Sequence, residues 1–337
     1  MGDPRSVNWA IVGLGDIVRK RVAAAIVDQP DSRLYACVTR DPKARQDDLE
    51  AYAPDRVFTS IEPMLADPSV DAVYLATPVH RHAPQAIACL EAGKDVLVEK
   101  PMALDAREAA AMCRAADESG RRLAVAYYRR FWDRFQRVKD ALDRGELGQV
   151  VLVRMALGGW YRPDPSDPGA WRTDRASAGG GVLSDVGCHR LDLVPWWLGL
   201  PRRVVADVKT LIHDYETDDS VAVLMELAHG AQFTGSFHWN TRARADEIDV
   251  VGTEGRIRMV PSDGPAIEIT RAGRTTVETV PRPGNAHFPL IDDFVRAVLE
   301  GRPPRFHGVD SLATTRLIDA MYESSRRRAW IEVGEPS

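Results

Sequence analysis

"VNWAIVGLGDIVRKRVAAAIVD", residues 7–28, decides the fold. An apolar stretch reads as a strand and stops at Gly13. Gly13-Leu14-Gly15 makes a turn, and Asp16 onward reads as a helix with Ile17, Val22, Ala25 and Ile26 near one face. The first glycine permits the tight turn and the second lets backbone approach a pyrophosphate. The helix start then offers unpaired N–H groups and the positive end of its dipole. Gly13, Gly15, Asp16 and Ile17 are therefore candidate cofactor residues, with a plain tight turn between strand and helix as the alternative. Val18 stands where a small third residue is usual, which would hold helix and strand slightly apart.

The same alternation continues outward to residue 126. "RLYACVT", "DAVYLAT", "DVLVEK" and "RLAVAY" read as further strands, separated by helices such as "HAPQAIACLEAG" and "LDAREAAAMCRAADESG". Asp105 and Glu108 have the spacing of a capping box. Near-continuous apolar strands between helices imply a parallel sheet covered on both faces, a doubly wound dinucleotide-binding domain over 1–126. From residue 127 a helix leads into many strands with short turns, among them "VVLVRMALGG", "DSVAVLMEL", "GAQFTGSFHWN" and "DEIDVVGTEGRIRMV". Residues 127–337 therefore read as an α+β domain on a large, open, mainly antiparallel sheet.

Composition fits this division. A chain of 337 residues is more than one core usually holds. Its formal net charge of −5 and lack of a basic stripe argue against a nucleic-acid partner. No apolar run approaches the roughly 18 residues of a membrane span, and the N-terminus lacks a signal-peptide pattern. The four cysteines form no CxxC, so a reduced, cytoplasmic protein is expected.

Chemistry concentrates in three places. The second strand ends in Thr39-Arg40 rather than in an acid. A guanidinium there suits a ribose 2′-phosphate, so the reading favours NADP(H) and keeps NAD(H) possible through Asp41. The strand "DVLVEK" delivers Lys100 to the sheet edge where ligands bind, and Thr77-Pro78 points to the same edge. Finally, "GGGVLSDVGCHRLDLVPWW" places Asp185, His189 and Asp192 at i, i+4 and i+7 of a largely apolar helix. A carboxylate one turn from an imidazole makes a workable general acid/base. A satisfied polar patch and a cation site are the alternatives for that stripe.

On these residues the chain resembles the glucose–fructose oxidoreductase / inositol dehydrogenase / rhizopine-catabolism (Gfo/Idh/MocA) family of NAD(P)-dependent oxidoreductases. The motifs run nearly end to end: "GLGDI", "ATPVHRHAPQAIACLEAGKDVLVEKPMAL", "AYYRRF", "WRTDRASAGGGVLSDVGCHRLDL", "VVGTEGRI" and "DDFVRAVLEGRPP". The resemblance implies a Rossmann domain followed by an open-sheet domain that makes homodimers or homotetramers. It implies Lys100 and His189 as the catalytic pair, supported by Asp185, and a cis peptide before Pro101. It places Thr77, Pro78, His82 and Glu99 at the nicotinamide end of the cofactor site, and it makes Tyr128, Arg172 and Asp192 candidates for substrate contact. Tyr128 departs from the Asn or His of many relatives, so sugar-binding detail does not transfer.

The expected activity is reversible hydride transfer between a secondary alcohol or ketone of a sugar, sugar derivative or cyclitol and the nicotinamide, with no metal. Two other uses of the fold are a non-catalytic NADP(H)-binding regulator and a lyase- or glycosidase-type enzyme that uses its nicotinamide transiently.

Overall fold

The computed structural model describes residues 6–334, which divide into two compact units. One comprises the chain up to Tyr128 together with Pro283–Leu312; the other comprises Arg129–Arg282 and the chain from Ala313. A linear division at 126/127 does not contain the return of residues 283–312 to the first unit.

The first unit is built on β1 (Val7–Val12), β2 (Ser32–Val38), β3 (Arg56–Phe58), β4 (Ala72–Leu75), β5 (Asp95–Val98) and β6 (Leu123–Val125). All pairs are parallel and the order is β3-β2-β1-β4-β5-β6, so the direction of winding reverses between β1 and β4. The central strands β4 and β5 are buried at every residue, which explains the apolar runs Ala72–Leu75 and, after the buried Asp95, 96–98. The strand β3, three residues at one edge, carries no comparable signal and goes unnoticed in the sequence. The helix Ala106–Ser119 starts as its capping pattern requires, the Asp105 carboxylate accepting from the Glu108 N–H at 2.8 Å. The returning helix Phe288–Glu300 buries Leu290, Ile291, Phe294 and Val295, and Phe294 lies 5.3 Å from the Trp9 ring of β1. Four such side chains stabilise the unit by several kcal/mol, at about 1.5–3 each.

The second unit carries β7 (Val150–Trp160), β8 (Arg203–Lys209), β9 (Ser220–Glu226), β10 (Gln232–His238), β11 (Asn240–Gly252), β12 (Gly255–Met259), β13 (Ala266–Arg271), β14 (Arg274–Thr279) and β15 (Ile331–Glu332). Their order is β14-β13-β12-β11-β7-β10-β9-β8-β15. Neighbours are antiparallel except β7 with β10, which run parallel, so the sheet is mixed but mainly antiparallel.

Candidate active site

In the first unit the site grows from one edge of the parallel sheet. Hydrogen bonds from Gly13 N to Val38 O (3.0 Å), Ala76 N to Val12 O (2.9 Å) and Glu99 N to Leu75 O (2.9 Å) carry the β1, β4 and β5 segments off the sheet at one level. Gly13 has φ +92°, and a Cβ there would stand 2.9 Å from Ala76 O. Gly15 is different: a Cβ would meet nothing within 4 Å, so its backbone faces open space. Asp16 and Ile17 begin the helical run, which opens with a π-turn over Val18–Val22. Val18 is fully buried within that wider turn, so the missing third small residue is accommodated. Hydrogen bonds from Lys20 (2.8 Å) and Arg19 (2.6 Å) hold the exposed Asp16 carboxyl below its ordinary range. An open glycine cradle at a helix start, on the edge where strand order reverses, fits a dinucleotide pyrophosphate.

At the end of β2, Thr39 N donates to Phe58 O at 3.0 Å. Arg40 is exposed and makes no hydrogen bond or ion pair among the described residues. Asp41, in contrast, accepts from Ala44 N at 3.1 Å and caps the next turn.

At the end of β4, the Thr77 hydroxyl donates to Gln85 Oε1 (2.7 Å), and Pro78 precedes the turn Val79–Arg81. The ring of His82 bridges Thr77 O (2.8 Å) and Pro101 O (2.9 Å) and is 1 % exposed. Burial pushes this imidazole below its ordinary range, against the pull of the two carbonyls. His82 therefore ties two loops together, where the resemblance placed it on the cofactor.

Glu99 likewise has protein partners. It is 7 % exposed, accepts from the Tyr74 hydroxyl at Oε1 (2.7 Å) and from the Lys100 N–H at Oε2 (3.1 Å), and faces His287 Nε2 at 3.4 Å. Burial pushes its carboxyl up, but His287, Lys100 and Tyr74 outweigh this and hold it below the ordinary range. Lys100 is half-buried and precedes a cis Pro101, as the resemblance implied. Tyr128 is 7 % exposed, accepts from Arg21 Nη1 at 3.2 Å, and lies 4.7 Å from the His287 ring.

In the second unit the helix bearing His189 also opens with a π-turn, Leu183–Gly187, which contains Asp185. Ideal α-helical spacing therefore does not apply between Asp185 and His189. Asp185 pairs with Arg172 Nε at 3.4 Å, and Arg172 stacks over Trp171 at 4.5 Å. His189 is 7 % exposed. The helix start is held from outside its own segment: Asp218 accepts from Gly181 N (2.8 Å), Leu183 N (2.9 Å) and the Tyr322 hydroxyl (2.7 Å).

Asp192, expected at the substrate, lies among protein partners. It is 1 % exposed, forms a two-pronged ion pair with Arg130 (2.7 and 2.6 Å) and accepts from Thr314 (2.9 Å). A carboxylate so enclosed has no surface for a substrate; it braces the helix. Sequence reasoning also missed Tyr74, His287, Asp218, Tyr322 and Arg130. Of these only Arg130, in "AYYRRF", and Asp218, in "TDDS", sit in stretches with any local signal.

Comparison with known proteins agrees with this architecture. Residues 7–127 match the model of an oxidoreductase family with an NAD-binding Rossmann fold, and residues 135–258 match the GFO/IDH/MocA C-terminal domain. The chain is 31 % identical to D-xylose 1-dehydrogenase (NADP(+)) 2 of Haloferax volcanii, over 96 % of this chain and 99 % of that protein. It is 28 % identical to inositol 2-dehydrogenase of Rhizobium meliloti, over 97 % and 99 %. The crystal structure of aldose-aldose oxidoreductase from Caulobacter crescentus superposes with a TM-score of 0.89 at 28 % identity, covering 97 % of this chain and all of that one. The chain belongs to the GFO/IDH/MocA family of NAD(P)-binding oxidoreductases.

Proposed function

We infer that the protein is an NADP(H)-preferring dehydrogenase or reductase acting on a secondary hydroxyl or ketone of a sugar, sugar derivative or cyclitol. The observation that carries the reading is the shared edge: Gly13, Thr77 and Lys100 all follow C-terminal ends of adjacent parallel strands. The named activities of the xylose and inositol relatives supply the substrate class.

The Gly15 backbone and the helix start beyond it hold the pyrophosphate, and Thr77 and Pro78 flank the nicotinamide end. Arg40 binds the ribose 2′-phosphate; its exposure and lack of a partner among the described residues support this, as does the prior engagement of Asp41. The cofactor, when bound, supplies the hydride acceptor or donor. Lys100 donates a hydrogen bond to the reacting oxygen and stabilises its developing negative charge. His189 takes the hydroxyl proton in the oxidative direction and returns it in the reductive one. Asp185 and Arg172 act beside it as a charged pair that orients the substrate. Val151 and Val277, exposed on strands of the open sheet, support a homodimer or homotetramer through the second unit. The four cysteines stand as thiols, which supports a cytoplasmic location. Among the described residues no helix is long and apolar enough to cross a membrane.

The test is turnover of a sugar and polyol panel with NADP⁺ and NAD⁺, followed by Lys100→Ala and His189→Ala on the best substrate. Each variant should lose on the order of 10²–10⁴ in kcat. Turnover within threefold of wild type in both variants would refute the assignment.

A further inference from the structure

His287 is the least expected member of the first unit's polar core. It is 0 % exposed, and neither ring nitrogen makes an aligned hydrogen bond among the described residues. Burying an imidazole without a partner costs on the order of 1–3 kcal/mol, so its placement needs a reason. Its Nε2 faces Glu99 Oε1 at 3.4 Å, and its ring lies on Tyr128 at 4.7 Å. Its backbone N–H donates to the Asn285 side chain (2.9 Å), whose amide in turn donates to Arg21 O (2.8 Å) at the π-turn of the dinucleotide helix. The returning segment thus grips that helix and the carboxylate beside Lys100 at once.

Glu99 reaches Lys100 directly. Its Oε1 is occupied by the Tyr74 hydroxyl and its Oε2 accepts the Lys100 backbone N–H. Where the carboxylate sits therefore decides where the Lys100 backbone leaves β5. His287 Nε2 stands 3.4 Å from Oε1, the oxygen that Tyr74 also meets, so it bears on the end of the carboxylate that does not bond the Lys100 N–H. We propose that His287 is a positioning residue: it holds Glu99 in place, and through Glu99 it holds Lys100 in its working orientation. The proposal rests on the role of Lys100 given above. It names a residue outside every sequence motif that resembles the family.

The test uses His287→Phe, which keeps ring volume and removes the nitrogens, and His287→Gln, which keeps an N–H donor. In H287F, kcat should fall by about tenfold or more, with the sugar KM within about twofold of wild type. H287Q should stay within about threefold of wild type. H287F added to Glu99→Gln should be no worse than E99Q alone, because both act through one carboxylate. A second readout needs no turnover: labelling of Lys100 by an amine-reactive acylating reagent, quantified by mass spectrometry. Lys100 is half-buried, and releasing its backbone from the fixed exit at Glu99 opens its amine to the reagent. Labelling should therefore quicken at least about threefold in H287F and E99Q, and not in H287Q. Unchanged kcat and unchanged labelling in folded H287F overturn the proposal, as do losses that multiply in the double variant. If H287F does not fold, His287→Asn replaces it, since its amide is shorter than the imidazole whereas that of Gln nearly matches its reach. A wild-type protein that turns over no sugar refutes the assigned reaction and leaves the labelling arm to decide the role of His287.

Discussion

Asp192 separates a structural reading from a catalytic one. As a substrate ligand, its loss would raise KM and leave the fold intact. The structure makes the opposite demand. Asp192 is 1 % exposed and its partner Arg130 is 2 % exposed, with Nε and Nη2 on its two carboxylate oxygens. Asp192→Asn keeps the shape and the Thr314 contact but removes the negative charge that both guanidinium hydrogen bonds meet. Removing one partner of such a pair costs about 3–5 kcal/mol. For a unit of this size each kcal/mol shifts the melting temperature by about 2–4 °C, so D192N should melt roughly 6–20 °C lower. Replacing both partners, Arg130→Met with Asp192→Leu, should recover most of that loss, because an apolar pair leaves no charge unpaired. The assay is scanning calorimetry on all three proteins, with sugar KM measured below the melting transition. A D192N protein that melts within 2 °C of wild type and has a tenfold higher sugar KM would show that Asp192 is a substrate ligand and that its enclosure here is irrelevant to its role.

Two further outcomes follow from the same geometry. Arg40→Ser removes the exposed guanidinium at the end of β2; NADPH binding should weaken by about 10- to 100-fold, a charge-assisted bond's worth, while NADH binding stays within about threefold. Equal losses for the two cofactors, read by nicotinamide fluorescence, would remove Arg40 from the 2′-phosphate. Asp263 gives a pH signature: burial pushes its carboxyl up, but Arg129, helped by Arg190 and Arg134, brings it down to about 2. A depressed carboxyl binds fewer protons folded than unfolded. Its contribution, about 2 kcal/mol, is therefore present above pH 4 and lost as pH falls from about 4 to 2. Urea midpoints should drop more steeply over that window in wild type than in Asp263→Asn, and parallel curves would count against the ion pair.

Much of the first unit was legible because its strands are buried on both faces and say so in apolar runs, as in β4 and β5. The motif residues Gly13, Gly15, Thr77 and Lys100 were legible for a related reason: each follows such a run. What escaped was pairing and support. Nothing in the alternation of β7 and β10 records that they run parallel. Nothing in "NAHFPL" records that His287 meets Glu99 from the far end of the chain. Side chains that hold a site come from distant segments and ordinary residue types, so their signal exists only in three dimensions. His82, Glu99 and Asp192 show the same thing: the motif marks them, and only the fold shows the protein partners each one has.

The two glycine-led helices show what such a motif does specify. Both follow a glycine turn and both open with a π-turn, at Val18–Val22 and at Leu183–Gly187. Locally the two sequences make the same request, for a backbone that something can approach closely. What approaches differs. A Cβ at Gly15 would meet nothing within 4 Å, whereas one at Gly180 would lie 1.9 Å from the Tyr322 hydroxyl and one at Gly181 2.0 Å from Asp218 O. The first glycine leaves room for a ligand, and the other two are filled by the protein itself, which uses Asp218 to satisfy the N–H groups that the open cradle leaves for a phosphate. A glycine before a helix thus marks a close contact, and the space beyond its missing Cβ decides whether that contact is chemistry or architecture. By that criterion Gly15, with open space beyond its Cα, keeps the place at the pyrophosphate proposed for it. Gly180 and Gly181 serve instead to seat the helix that carries Asp185 and His189.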